Sequence, residues 1–232
     1  MKSCGSQKIA PRLRRRWGGS IKKVQVLKPI QHTRGEMTRR AILEAAEQVF
    51  ANVGFDAARL EDVALAVGIR RPSIVYHFAN KQELYDAVEL DIFESMHRAA
   101  SESMLHAAGH LDRFLALLDG WLDYLVQRPT AARIILRLVA DATPRGENPT
   151  QFSFSALRDM EKVISEGVAS GEFRAVSPIF LINSVASSSL FYVCNGKQLG
   201  PDFNYDPSDM ALLGGFRTLL HDTARAAVSK TR

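Results

Sequence analysis

From residue 37 onward the apolar residues of this chain recur at intervals of three and four and nowhere alternate in the two-residue rhythm of a half-buried strand. That regularity restricts the fold to helices packed on helices. Ile42, Ala45, Ala46, Val49, Phe50 and Val53 predict a first helix, capped by Thr38 and stopped at Gly54, with Arg39, Arg40, Glu44, Glu47 and Gln48 on its polar side. A shorter segment, Leu60 to Val67, turns Leu60, Val63, Ala64 and Val67 inward and stops at Gly68. Residues 70–78 then have room for one to two turns, because Pro72 falls in a first turn, where its missing N–H has no partner to lose. Asn80 and Glu83 form an N-x-x-E capping box that opens a long helix through Leu84, Val88, Ile92 and Met96. Further helices are predicted over 111–127, 130–141, 152–169, 178–194 and 208–228, with breaks at Gly109, Pro129, Pro144 to Pro149, Gly171 and a loop from Gly196 to Pro207.

Charge is distributed unevenly. The net +5 arises entirely in residues 1–40, which hold 12 Lys/Arg against the single acid Glu36, whereas residues 41–232 hold 18 against 24. Residues 1–36 lack periodicity and cluster Arg12, Arg14, Arg15 and Arg16 among glycines and prolines, the composition of a disordered basic tail. Such a tail suits a minor-groove arm. Its other readings are a leader before a start near Met37 and, being Arg-rich and almost free of acids, an organellar transit peptide. Lys22, Lys23 and Lys28 interrupt any secretory core. The longest uncharged run, Ala175 to Gly196, is too rich in Ser and Asn for a bilayer and reads as a buried helix. Cys4 and Cys194 belong to no disulfide framework or zinc motif, which fits a reducing cytoplasm. His106 and His110 stand at i, i+4 spacing without a third ligand, so no metal is expected, and no cofactor motif is present.

Helix, glycine turn and short helix make the helix-turn-helix unit, whose second helix presents its first turn to base edges in the major groove. The small Ala64 allows the two helices to touch, and Gly68 supplies the turn. A plain helical bundle shares these features. The order of residues is more specific. Thr38-Arg39-x-x-Ile42-Leu43-x-Ala45-Ala46-x-x-x-Phe50-x-x-x-Gly54-Phe55, followed by Val63-Ala64-x-x-x-Gly68-Ile69-x-x-Pro72-Ser73-Ile74-x-Tyr76-His77-Phe78-x-x-Lys81-x-x-Leu84, closely resembles the N-terminal domain of the TetR family of bacterial transcriptional regulators. The resemblance is dense over residues 38–85; beyond it the chain is similar only in helical character and in a Gly171-Glu172-Phe173-Arg174 turn.

The resemblance implies an all-α homodimer that binds a pseudo-palindromic DNA operator and is released by a small effector. Its expected domains are the tail 1–36, a helix-turn-helix DNA-binding domain 37–84, and a helical effector-binding and dimerisation domain 85–228. Carried over by position, it puts Arg71, Pro72, Ser73 and Tyr76 at base edges, His77 and Lys81 at phosphates, and Thr38 and Arg39 beside the flanking phosphate. The chemistry agrees: Arg71 can grip guanine O6 and N7, and Pro72 and Ser73 can touch thymine methyls. The family commonly has Ser or Thr caps where this chain has Arg59 and Arg70, and Tyr where it has Val75. Two lost caps cost about 1 kcal/mol each unless replaced, while the arginines gain reach to phosphate.

In the second domain Phe114, Trp121, Tyr124, Phe152, Phe154 and Met160, with Arg133 and Arg137, outline a mostly apolar effector pocket for an apolar or amphipathic ligand. Each aromatic taken alone also reads as core. Phe180, Ser184, Ser187, Phe191, Leu213 and Phe216 leave the last helices with apolar, small-residue faces too wide for one subunit's core, so they are expected at a two-fold interface. No catalytic motif stands out, which makes an enzyme the weaker reading; a helical adaptor would leave the arginines around the short helix without a role. If the tail touches DNA, deleting it flattens the salt dependence of binding by several counterion equivalents; equal slopes with and without it indicate a leader.

Overall fold

The computed structural model describes residues 33–140, 154–197, 199 and 205–230; all but Thr33 lie in one unit that begins at Arg34. The expected tail up to residue 32 and Phe152 lie outside the described residues. Ten α-helices follow one another, with no strand among the described residues: α1 (Arg34–Ala57), α2 (Leu60–Val67), α3 (Arg71–His77), α4 (Lys81–Met104), α5 (His110–Gln127), α6 (Pro129–Ala140), α7 (Phe154–Ala169), α8 (Pro178–Leu181), α9 (Ser187–Cys194) and α10 (Met210–Val228). None of the described helices is long and apolar enough to cross a membrane.

Helix α1 starts earlier than its apolar period suggests. Thr38 does not cap it; the Thr38 hydroxyl donates to the Arg34 carbonyl at 2.9 Å, one turn back inside the same helix. Arg34 to Met37 extend the helix on exposed residues, and an exposed turn leaves no apolar signature. The buried stripe Ile42, Ala46 and Phe50 then runs to a kink at Gly54, where φ is 82°. Between α2 and α3, Gly68 has φ 76°, and no atom lies within 4 Å of where a Cβ would stand, so the demand for glycine there comes from the left-handed backbone alone. Ile69 N–H closes the turn onto Ala64 O at 3.0 Å.

Helix α4 runs from the helix-turn-helix unit into the second domain. Its start is fixed by a reciprocal cap: Asn80 Oδ1 accepts the Glu83 N–H at 2.9 Å, and Glu83 accepts at 2.7 Å from Ala79, one residue earlier than a standard box. Helix α5 folds back along it, with Tyr124 donating to Ile92 O at 3.0 Å and Gly120 lying against Ala100. A Cβ on Gly120 would sit 2.8 Å from the Ala100 backbone, so glycine sets how closely the two helices approach. The predicted helix over 178–194 is interrupted by a π-helical turn, Ile182–Ala186. Ser184 and Ser187 donate to the carbonyls of Phe180 and Asn183 at 2.6 and 2.7 Å, and hydroxyls bonding back in this way loosen a helical ladder.

One polar cluster ties α1 to the second domain. Glu47 is only 4% exposed. Arg128, between α5 and α6, donates from Nε to both Glu47 oxygens at 2.9 and 3.0 Å and contacts them again through Nη2. The same Nη2 reaches Asp91 on α4 at 2.6 Å, Nη1 donates to the Tyr124 hydroxyl at 3.0 Å, and Thr130 adds a 2.5 Å bond to Glu47. Burial works against the Arg128 charge, but the hydrogen bonds to Glu47 and Asp91 outweigh it and raise its pKa. Burial likewise pushes the Tyr124 phenol up to about 12 despite Arg128 beside it. Arg128→Ala strands the buried Glu47 carboxylate and should lower unfolding free energy by about 3–5 kcal/mol in urea titrations, whereas the apolar double change Glu47→Leu/Arg128→Met should recover most of it.

Candidate nucleic-acid interface

Helix α3 has seven residues and buries few of them. Ile74 is fully enclosed, and Phe78 just beyond the helix anchors its end. Arg71, Pro72 and Ser73 are exposed, and Tyr76 is 85% exposed, its ring edge-on to His77 at 5.1 Å. A short helix with one buried side and an outward first turn is suited to lie in a groove rather than to build a core. Val75, on the same helix, is also exposed and offers only a methyl surface.

The residues around this helix have more fixed roles. Arg39 lays its guanidinium over the Phe78 ring at 4.7 Å, linking the start of α1 to the end of α3 and remaining exposed. Arg59 and Arg70 occupy the N-cap positions of α2 and α3 and contribute no capping side-chain bond, as an arginine has no acceptor. At α2 the loss is partly offset from inside the helix, where Asp62 accepts the Arg59 N–H at 3.2 Å. Both arginines are exposed and thus available to phosphate. Arg71 lies 3.1 Å from Glu61 on α2, an ion pair that sequence spacing does not announce.

Lys81 is placed differently from its expected part. Its ammonium donates to the carbonyls of Phe55, Asp56 and Ala58 at 2.8, 3.2 and 3.2 Å and stands over the Phe55 ring. It therefore closes the carbonyl-rich end of α1. Its N–H remains in the first turn of α4, where an anion is favoured.

In the second domain Phe114, Trp121 and Met160 are buried in the common core, with Phe114 edge-on to Phe173. Tyr124 instead faces α4 and Arg128, and Arg133 donates to Asn52 Oδ1 on α1 at 3.0 Å. The structure thus brings Phe114, Trp121 and Met160 of the expected effector residues into one core and turns Tyr124 and Arg133 toward α4 and α1. The Trp121 Nε1–H is the single buried side-chain polar atom among the described residues without a hydrogen-bond partner. A separate groove of about 600 Å³ runs between α1 and α4, lined by Arg39, Arg98, Arg128, Glu44, Glu47 and Asp91 among others. Its walls are charged, unlike the apolar pocket the sequence points to.

In the last helices Phe180 is 67% and Phe191 57% exposed, and Ile179, Met210, Leu212 and Leu219 are exposed as well. Leu213 and Phe216 are half-buried, and Phe216 stacks on Tyr192 at 4.2 Å within the subunit. Ser184 is exposed and Ser187 half-buried, their hydroxyls already satisfied.

An outward-facing short helix held on a glycine turn, ringed by arginines and joined through one long helix to a helical core, defines a helix-turn-helix DNA-binding regulator. Residues 42–88 match the family model described as bacterial regulatory proteins, tetR family, and residues 111–224 match the tetracyclin repressor-like C-terminal domain. The chain belongs to the TetR family and is a ligand-responsive, DNA-binding transcriptional regulator. It is 26% identical over 204 residues to the HTH-type transcriptional repressor NicS of Pseudomonas putida, covering 84% of this chain and 94% of that one. The HTH-type transcriptional regulator RutR of Escherichia coli is 28% identical over 158 residues, 66% of this chain and 73% of its own. A TetR family regulator from Marinobacter aquaeolei shares the fold with a TM-score of 0.68 at 19% identity, over 84% of this chain and 96% of that chain.

Lys81→Met should act on stability, lowering unfolding free energy by about 1.5–3 kcal/mol through the lost charged bonds. Arg71→Ala should leave unfolding nearly unchanged and cost about 1–3 kcal/mol in binding to a selected duplex, read by titration against a scrambled one.

Proposed function

We propose that this regulator is a repressor that binds a pseudo-palindromic operator as a homodimer and is released by a small amphipathic effector in the cytoplasm, acting through binding and not catalysis. The continuity of α4 supports the release step: the helix starts at the Asn80 cap beside α3 and continues against α5 and α7. An effector alters DNA binding only if it prefers one arrangement of these helices over another. Glu47, Arg128 and Asp91 make that preference transmissible, because α1, α4 and the α5–α6 junction share one set of hydrogen bonds. The exposed Phe180, Phe191 and Met210 supply the apolar surface that a two-fold partner would cover. The name of the Pseudomonas putida relative, a transcriptional repressor, favours repression over activation.

The orphan Trp121 N–H carries the reading of the ligand. A buried donor without an acceptor is costly, and an effector with a carbonyl or carboxylate oxygen on an apolar body would satisfy it. The chain has two tryptophans, so Trp17→Phe leaves Trp121 as the only indole reporter for a panel of carboxylates, ketones and their hydrocarbon counterparts. Acceptor-bearing compounds should shift its emission and release DNA. Trp121→Phe, which keeps a ring and removes the donor, should weaken that response by about 5- to 30-fold while leaving operator affinity without ligand unchanged. Loss of DNA binding on this substitution would instead make Trp121 a structural core residue. Phe180→Glu with Phe191→Glu should yield monomers in sedimentation and abolish operator binding.

A further inference from the structure

Arginine is long and flexible, so a base-reading Arg71 has to be aimed, and the structure shows one neighbour that can aim it. Arg71 is the first residue of α3, and its Nε lies 3.1 Å from Glu61 Oε1 in the first turn of α2. Both side chains are largely exposed, at 60% and 59%, and an ion pair so exposed adds little to folding. Nor does α2 need Glu61 for its own start. Asp62, the next residue, also places an acid in the first turn and takes the Arg59 N–H.

What the pair does is geometric and electrostatic. The carboxylate's closest approach is to Nε, so a partner that meets the Nη1–Nη2 end does not have to displace it. That end matches the O6 and N7 acceptors of guanine as a two-pronged donor. A side chain already restrained loses less freedom when it docks. The carboxylate has a second effect: a negative charge beside Arg71 repels phosphate and so lowers affinity for DNA of arbitrary sequence.

We propose that Glu61 is a specificity-determining positioning residue, which aims Arg71 at a guanine and penalises DNA that lacks it; the inference rests on the base-reading role of Arg71. Bound sequences selected from a random duplex library by the full-length wild type, Arg71→Ala, Glu61→Ala and Glu61→Gln proteins test it. The wild type should enrich a half-site with one guanine pair whose preference vanishes in Arg71→Ala. Glu61→Ala should reduce the preference at that same pair by about 3- to 10-fold, spare the other pairs, and bind a scrambled duplex several-fold more tightly. Glu61→Gln, which keeps an acceptor oxygen without the charge, should bind the scrambled duplex like Glu61→Ala yet retain more of the pair preference. Melting midpoints should match the wild type, because Glu61 is exposed. Undiminished preference at the Arg71 pair in Glu61→Ala overturns the aiming role and leaves base reading intact; undiminished preference everywhere in Arg71→Ala overturns both.

Discussion

The contact between Glu47 and Arg128 is the interaction on which the arrangement of this protein depends. A carboxylate buried to this extent is costly unless a cation and several donors surround it, and here Arg128 and Thr130 do so. These partners stand on or between α5 and α6, whereas Glu47 stands on α1, so the DNA-binding domain cannot move independently without exposing or stranding a charge. Asp91 brings α4 into the same set through the guanidinium. An apolar contact would permit sliding. A shared guanidinium fixes direction as well as distance.

Two further contacts extend this attachment. Arg133 and Arg137 on α6 reach Asn52 near the kinked end of α1, and Lys81 at the head of α4 gathers the carbonyls just beyond that kink. The end of α1 is thus held from both sides by cations, as the negative end of a helix dipole favours. The helix that carries recognition is supported lightly by comparison, through Ile74 and the Phe78 anchor. Light burial leaves its outer residues exposed, and the helix it packs against is α2.

Local chemistry made the helix-turn-helix unit legible. Gly68, Pro72 and Asn80 act within one or two turns of themselves; the bounds of α2 agree with the expected ones, and α3 falls inside the expected 70–78, with Arg70 and Phe78 as its caps. The start of α1 was not legible, because Arg34 to Met37 are exposed and an exposed turn needs no periodic apolar residue. Arg133 shows the same limit in the second domain: the sequence groups it with the expected effector pocket, but the fold offers it Asn52, 81 positions away. The π-helical turn at Ile182–Ala186 lies in a serine-rich run that reads as uninterrupted helix, since periodicity does not register one inserted residue.

By itself the sequence determined that the chain is all-helical and that it carries a helix-turn-helix unit at residues 60–78. These follow from interactions between residues three or four apart, which a linear reading contains. The tertiary structure alone decided that Lys81 serves α1, that Glu61 stands beside Arg71, and that Glu47, Asp91, Tyr124 and Arg128 form one cluster. Charged side chains choose partners by direction and distance in the folded state, and that geometry exists only once helices α1 to α6 have packed.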